Sequence, residues 1–132
     1  VLAHYTDFRQ GSKYWPWRNF TPLEMACKCC GEVYYDPEFM NGLQGLRDEF
    51  GALKIASAHR CRLHNARIGG AAFSQHLKLA CDIELAGHDR FKMAKSAKSA
   101  GFKGRGYYIT FLHLDMGRER FWYGKGARKS WE

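Results

Sequence analysis

Asp82 stands between Ala80-Cys81 and Ile83 in a largely apolar stretch, Leu79-Ala80-Cys81-Asp82-Ile83-Glu84-Leu85. A carboxylate buried there needs hydrogen bonds, a counter-charge or a metal, because an unpaired buried charge is costly. His113 and Asp115 lie two apart in Phe111-Leu112-His113-Leu114-Asp115, so a strand aims both at one face and the two leucines at the other. His76, in Ser74-Gln75-His76, supplies a third polar group of the same kind. A single histidine in a strand is more often a satisfied structural residue; the weight lies in the combination. His76, Asp82 and His113 can meet around one Zn²⁺, leaving a fourth position for a water whose pKa falls toward ~7.

Five cysteines form a second group: Cys27, Cys29, Cys30, Cys61 and Cys81. The odd number leaves one thiol over in any complete disulfide pairing. Cys27-Lys28-Cys29-Cys30-Gly31 resembles half of a metal knuckle, and Cys61 is the nearest further cysteine. Three outcomes are open. One is a disulfide tying this segment to the His59-Arg60-Cys61 loop, which would imply an oxidising place of work; the others are a zinc shared by both segments, and buried free thiols.

These residues need elements to carry them. Thr21-Pro22-Leu23-Glu24 predicts a capped short helix, and Asp36-Pro37 starts a longer one with Phe39, Met40, Leu43, Leu46 and Phe50 on one face and Gly51 at its end. Gly42 and Gly45 weaken that helix but permit close packing. Strands are expected over 52–58 and 79–85, with 61–75 a loop broken at Gly69-Gly70. A helix from His88 to Ala100 turns Phe91, Ala94 and Ala97 inward and Lys92, Lys95 and Lys98 to solvent. Gly101, Gly104 and Gly106 punctuate a turn, and 107–115 with 119–123 close the chain as a hairpin. Helices and strands mix without βαβ alternation, which predicts an α+β fold with a small antiparallel sheet and flanking helices. At 132 residues the chain is one domain, with the aromatic-rich residues 1–20 packed over the body as an arm.

With 21 basic and 13 acidic side chains the net charge is +8. Residues 1–88 carry ten Lys/Arg against nine Asp/Glu, and 89–132 carry eleven against four, so the excess sits in the last third. Such a surface suits an anionic partner: nucleic acid, anionic lipid or bacterial cell wall. No helix-turn-helix or RNA-binding signature is present, so nucleic acid is not the expected partner. No apolar run of transmembrane length exists, and the first residues, VLAHYTDFRQ, do not read as a secretion signal.

The ordered set Ser57-Ala58-His59-Arg60-Cys61, His64-Asn65, Gly69-Gly70-Ala71, Ser74-x-His76, Ala80-x-Asp82 and His113-x-Asp115 resembles the zinc D-alanyl-D-alanine carboxypeptidase family. That family includes the vancomycin-resistance dipeptidase and phage L-alanyl-D-glutamate endopeptidases, within a group shared with lysostaphin-type enzymes and the hedgehog domain. The likeness runs from about Phe20 to Tyr123, roughly four-fifths of the chain. The ending GYYITFLHLDMGRERFWYG is similar to the branch in phage-like tail peptidases and gene transfer agents.

The resemblance implies His76, Asp82 and His113 as zinc ligands, Arg60 as the group that meets substrate carbonyl or oxyanion charge, and Ser74 as a lining of the substrate site. It implies hydrolysis of a peptide bond in peptidoglycan stems or crosslinks by a zinc-activated water. The partners would be peptidoglycan and phage-like tail proteins, and the place of action extracytoplasmic. A non-catalytic wall-binding or tail module on the same scaffold is the alternative. Two departures accompany it. Five residues (77–81), without a glycine, separate His76 from Asp82 where six are usual; with that separation, strand geometry still keeps both on one face. Thr110 stands where many members carry the acidic general base, which leaves Asp115 as base or as orienter of the site, with Glu84 the other carboxylate nearby.

Overall fold

The structure is a computed structural model that describes residues 3–5 and 15–132. Helix α1 (Pro22–Met25) begins with a complete capping box: Glu24 N–H donates to Thr21 Oγ1, and Thr21 N–H donates to Glu24 Oε1. The long helix α2 (Pro37–Phe50) starts on the Asp36 carboxylate, which accepts from Phe39 N–H at 3.2 Å, and stops at Gly51 with φ +80°. It buries Phe39, Met40, Leu43 and Leu46, each worth roughly 1.5–3 kcal/mol of transfer free energy. Of its two glycines only Gly42 serves close packing: a Cβ there would come within 3.0 Å of the Phe102 ring, whereas Gly45 faces open space.

Two short strands, β1 (Ala3–Tyr5) and β2 (Val33–Tyr35), pair antiparallel. Of the aromatic N-terminal segment, Trp17 and Phe20 are buried, and Trp15 packs edge-on against Trp17 at 5.1 Å. The expected packing of the other aromatics of residues 1–14 lies outside the described side chains.

The main sheet has the order β3 (Ile55–Ser57), β4 (Ala80–Glu84), β6 (Phe111–Asp115), β5 (Gly104–Tyr107), β7 (Arg120–Tyr123). The fold is α+β as expected, and every pairing in this sheet but one is antiparallel: β7 runs parallel to β5 on the edge. The expected closing hairpin is therefore replaced by a hairpin of β5 and β6, with β7 passing to the far side of β5. Gly104 and Gly106 belong to β5 rather than to a turn. They are glycines because neighbouring side chains occupy the space: a Cβ on Gly104 would lie 2.0 Å from Asp115 Oδ1, and one on Gly106 2.7 Å from the Trp122 ring.

The loop expected over 61–75 contains two turns of regular structure. Helix α3 (Arg62–Arg67) is capped by the Cys61 sulfur, and a 3₁₀ turn spans Gln75–Leu77. Helix α4 (Arg90–Ser99) starts on Asp89 and buries Met93 and Ala97; Phe91, expected inward, is 51% exposed and its ring lies 5.8 Å from that of Trp131. Lys92, Lys95 and Lys98 face solvent as expected. Among the described residues, no helix is long and apolar enough to cross a membrane.

Candidate metal centre and cleft

Register sets the centre. Asp82 on β4 stands directly opposite His113 on β6, which stands opposite Gly106 on β5, which stands opposite Trp122 on β7. The next rank along reads Ala80, Asp115, Gly104, Arg120. By the two-residue strand period both ranks lie on one face of the sheet, while Cys81, Ile83, Leu112 and Leu114 lie on the other, in the core. Burial pushes the Cys81 thiol well up, and it acts as a packed apolar side chain.

His76 reaches this face from the 3₁₀ turn, not from a strand. Ser74 Oγ caps the turn by accepting from His76 N–H at 3.1 Å, and the chain then folds back into β4. The five-residue spacer thus delivers its ligand by a turn instead of by strand alternation. His76 Nε2, Asp82 Oδ1 and His113 Nδ1 lie 3.0–3.2 Å from one another, all in buried residues. Four-coordinate zinc with bonds of about 2.0–2.1 Å spaces its ligands by roughly 3.3 Å, so the donor set fits the ion.

The outer partners settle which way the imidazoles face. His76 Nδ1–H donates to the Ala58 carbonyl at 2.6 Å, and His113 Nε2–H donates to Asp115 Oδ2 at 2.6 Å. With both far nitrogens holding their protons, two imidazole lone pairs and a carboxylate oxygen point at one another. Three acceptors converging in a buried space repel unless something positive sits among them. A proton on His113 is one such positive charge, and it turns that nitrogen into a donor to Asp82. Burial works to raise the Asp82 carboxyl, but hydrogen bonds from His113 and His76 outweigh it and hold it at about 2. Burial works to lower His113, and Asp115 and Asp82 together overcome that and raise it.

Asp115 has no exposure, and four bonds occupy its carboxylate. Oδ1 accepts from Arg120 Nη1 at 2.8 Å and Gly117 N–H at 2.9 Å, while Oδ2 accepts from Arg120 Nη2 at 2.8 Å and His113. Against the desolvation that would raise it, His113, Arg120 and Gly117 keep it well below the ordinary carboxylate range. Arg120, its bidentate clamp, is not marked in the sequence; that it shares a rank with Asp115, two strands away across Gly104, appears only once the parallel edge is known.

Above the centre opens a cleft of about 330 Å³ lined by Arg60, Ser74, Phe73, Tyr108, Phe111 and Trp122, among others. Arg60 N–H donates to the His76 carbonyl at 2.7 Å, and its Nη2 donates to Ser74 Oγ at 3.1 Å. Its Nε is buried without a partner. Burial lowers the Arg60 guanidinium, and Asp82 partly restores it. The aromatic wall rests on glycines: Tyr108 stacks on Phe111 at 4.3 Å and accepts from Trp122 Nε1 at 2.9 Å, and a Cβ on Gly124 would strike the Tyr108 ring at 2.1 Å. Asp82 is the single carboxylate among the described residues that line this cleft. Thr110 is exposed, and Glu84 pairs with Lys54 at 3.7 Å.

The peptidase M15 family model matches residues 18–115, about three-quarters of the chain and the whole of the proposed ligand set. The chain belongs to the peptidase M15 family of zinc metallopeptidases. Comparison with curated proteins returned no match.

Proposed function

We propose that this chain is a zinc-dependent hydrolase of peptide bonds in bacterial peptidoglycan, with His76, Asp82 and His113 as metal ligands. The observation that carries the reading is the convergence of three lone pairs at a cleft floor beside Arg60. Zinc bound there would polarise a carbonyl and acidify water. Asp115 holds His113 in the required tautomer and Arg120 holds Asp115; with its oxygens fully engaged, Asp115 is an orienter rather than a proton acceptor. Arg60, fixed by Ser74, lines the cleft with a guanidinium able to meet a carbonyl or the developing oxyanion. Tyr108 already accepts from Trp122, which leaves its own O–H free to donate to a substrate.

The substrate is an extended peptide rather than a free amino acid. Past the exposed Phe73 a second hollow of about 660 Å³ continues the cleft and shares Phe73, Ser74 and Gln75 with it. The basic last third suits the anionic wall, and a wall substrate would put the work outside the cytoplasmic membrane. Delivery on a phage-like tail rests on the closing segment alone.

A second reading, a wall-binding module without catalysis, is favoured by one observation: Thr110 replaces the acidic base and, among the described residues, no carboxylate besides Asp82 lines the cleft. Purified zinc-loaded chain incubated with peptidoglycan sacculi separates the two. Release of soluble amines that stops with chelator and with His76→Ala supports the hydrolase; co-sedimentation without release supports the module.

A further inference from the structure

Cys27, Cys29, Cys30 and Cys61 bring four sulfurs together, every pair within 4.8 Å. Cys29 and Cys61 are 3.3 Å apart and Cys27 and Cys29 3.7 Å, and all five cysteines of the chain are free thiols. Zinc–thiolate bonds of about 2.3 Å put tetrahedral sulfurs roughly 3.8 Å apart, whereas a disulfide needs about 2.05 Å.

The backbone around these sulfurs is arranged for ligation. Cys27-x-x-Cys30 closes in a tight turn in which Gly31 N–H donates to the Cys27 carbonyl at 2.9 Å, and Gly31 takes φ +80°, a conformation that favours glycine. Cys61 N–H donates to Cys27 Sγ at 3.3 Å, and His64 N–H donates to Cys61 Sγ at 3.4 Å. These backbone donors tie both sulfurs to the chain turns that carry them. Two cationic residues, Lys28 and Arg62, adjoin the cluster in sequence; the Lys28 ammonium is anchored on the Ala56 carbonyl at 3.1 Å. They offset part of the double negative charge that a zinc with four thiolates would carry.

We infer that these four cysteines form a second, structural zinc site, closed by sulfur on all sides, that clamps residues 27–30 onto the segment carrying Arg60. The ligand is a soft divalent ion, and binding releases the thiol protons. Its position matters because Cys61 directly follows Arg60, which lines the cleft. The site is thus a positioning device for Arg60, and it stands whether or not the chain hydrolyses peptidoglycan.

Cobalt(II) provides the test, since sulfur-to-cobalt charge transfer in the near ultraviolet arises only from thiolate ligands and the His76/Asp82/His113 group contains no sulfur. Chain purified under reducing conditions is expected to bind two metal ions. Loaded with cobalt, it should show that charge-transfer band; His76→Ala should keep the band with one ion, and Cys61→Ser should lose the band with one ion. The unsubstituted chain suffices if a variant fails to fold: the band present in it supports the site. Freely titrating thiols with no band in the cobalt-loaded chain overturn it. So does a disulfide among these residues, seen by intact mass in chain never exposed to reductant.

Discussion

Two groups able to hold a cation flank the short segment His59-Arg60-Cys61, and they are built in opposite ways. The His76/Asp82/His113 group sits on a sheet face, offers two nitrogens and one oxygen, and opens on one side to a cleft. Each histidine has its far nitrogen tied to a buried acceptor. The cysteine group hangs on loops, two of its members are exposed, and its four sulfurs all lie within 4.8 Å of one another. Three hard or borderline donors leave an ion a vacancy for substrate; four soft donors leave none. Rigidity follows the same division. Strand register holds the reactive group in place, while the cysteine group joins two loop segments that are also tied by the His59–Glu32 contact at 2.6 Å.

The contrast can be broken most sharply at His76. His76→Ala should abolish hydrolysis, by about 10³-fold or more if the ion supplies several kcal/mol at ~1.4 kcal/mol per decade, while the cysteine group keeps its ion; assay of amine release beside metal content checks both. Arg60→Ala should lower kcat by about 10²–10³-fold with zinc content unchanged, as expected for loss of one oxyanion donor. An equal loss of metal would mean that Arg60 builds the site instead of serving the substrate. Asp115→Asn should weaken zinc at the sheet centre by roughly 10–100-fold through loss of the His113 and Arg120 contacts, and competition with a chromophoric chelator reads that directly. Gly104→Ala, which intrudes on the Asp115 carboxylate, should cost about 1–3 kcal/mol in denaturant unfolding. Lys95→Ser on the solvent face of α4 should stay within about 0.5 kcal/mol of the parent and change neither group.

Several elements were legible without coordinates because their signals are local. The Thr21 and Asp36 caps, the apolar face of α2 and the apolar run of β4 are read from neighbours a few residues apart. Helix α3 was not legible: Arg62-Leu63-His64-Asn65-Ala66-Arg67 has one buried residue, Asn65, and its cap is a cysteine, so neither periodicity nor cap chemistry marks it. Phe91 was misplaced because α4 has only a narrow buried stripe, at Met93 and Ala97, and spacing alone cannot say which of two adjacent faces meets the core.

The chain's own order of residues determined which groups are able to bind an ion, that His113 and Asp115 share a strand face, and that four cysteines fall within two short segments. These follow from side-chain chemistry and from the two-residue period of a strand, both properties of the local chain. Only the tertiary structure decided that Asp82 faces His113 across a register, that His76 arrives by a turn, and that Arg120 crosses a parallel edge to occupy the Asp115 carboxylate. Asp82 and His113 are 31 residues apart, whereas Arg120 is only five from Asp115 and meets it because β7 pairs beyond β5; strand order and the hollows over Gly104 and Gly106 fix these relations, and no local pattern encodes them.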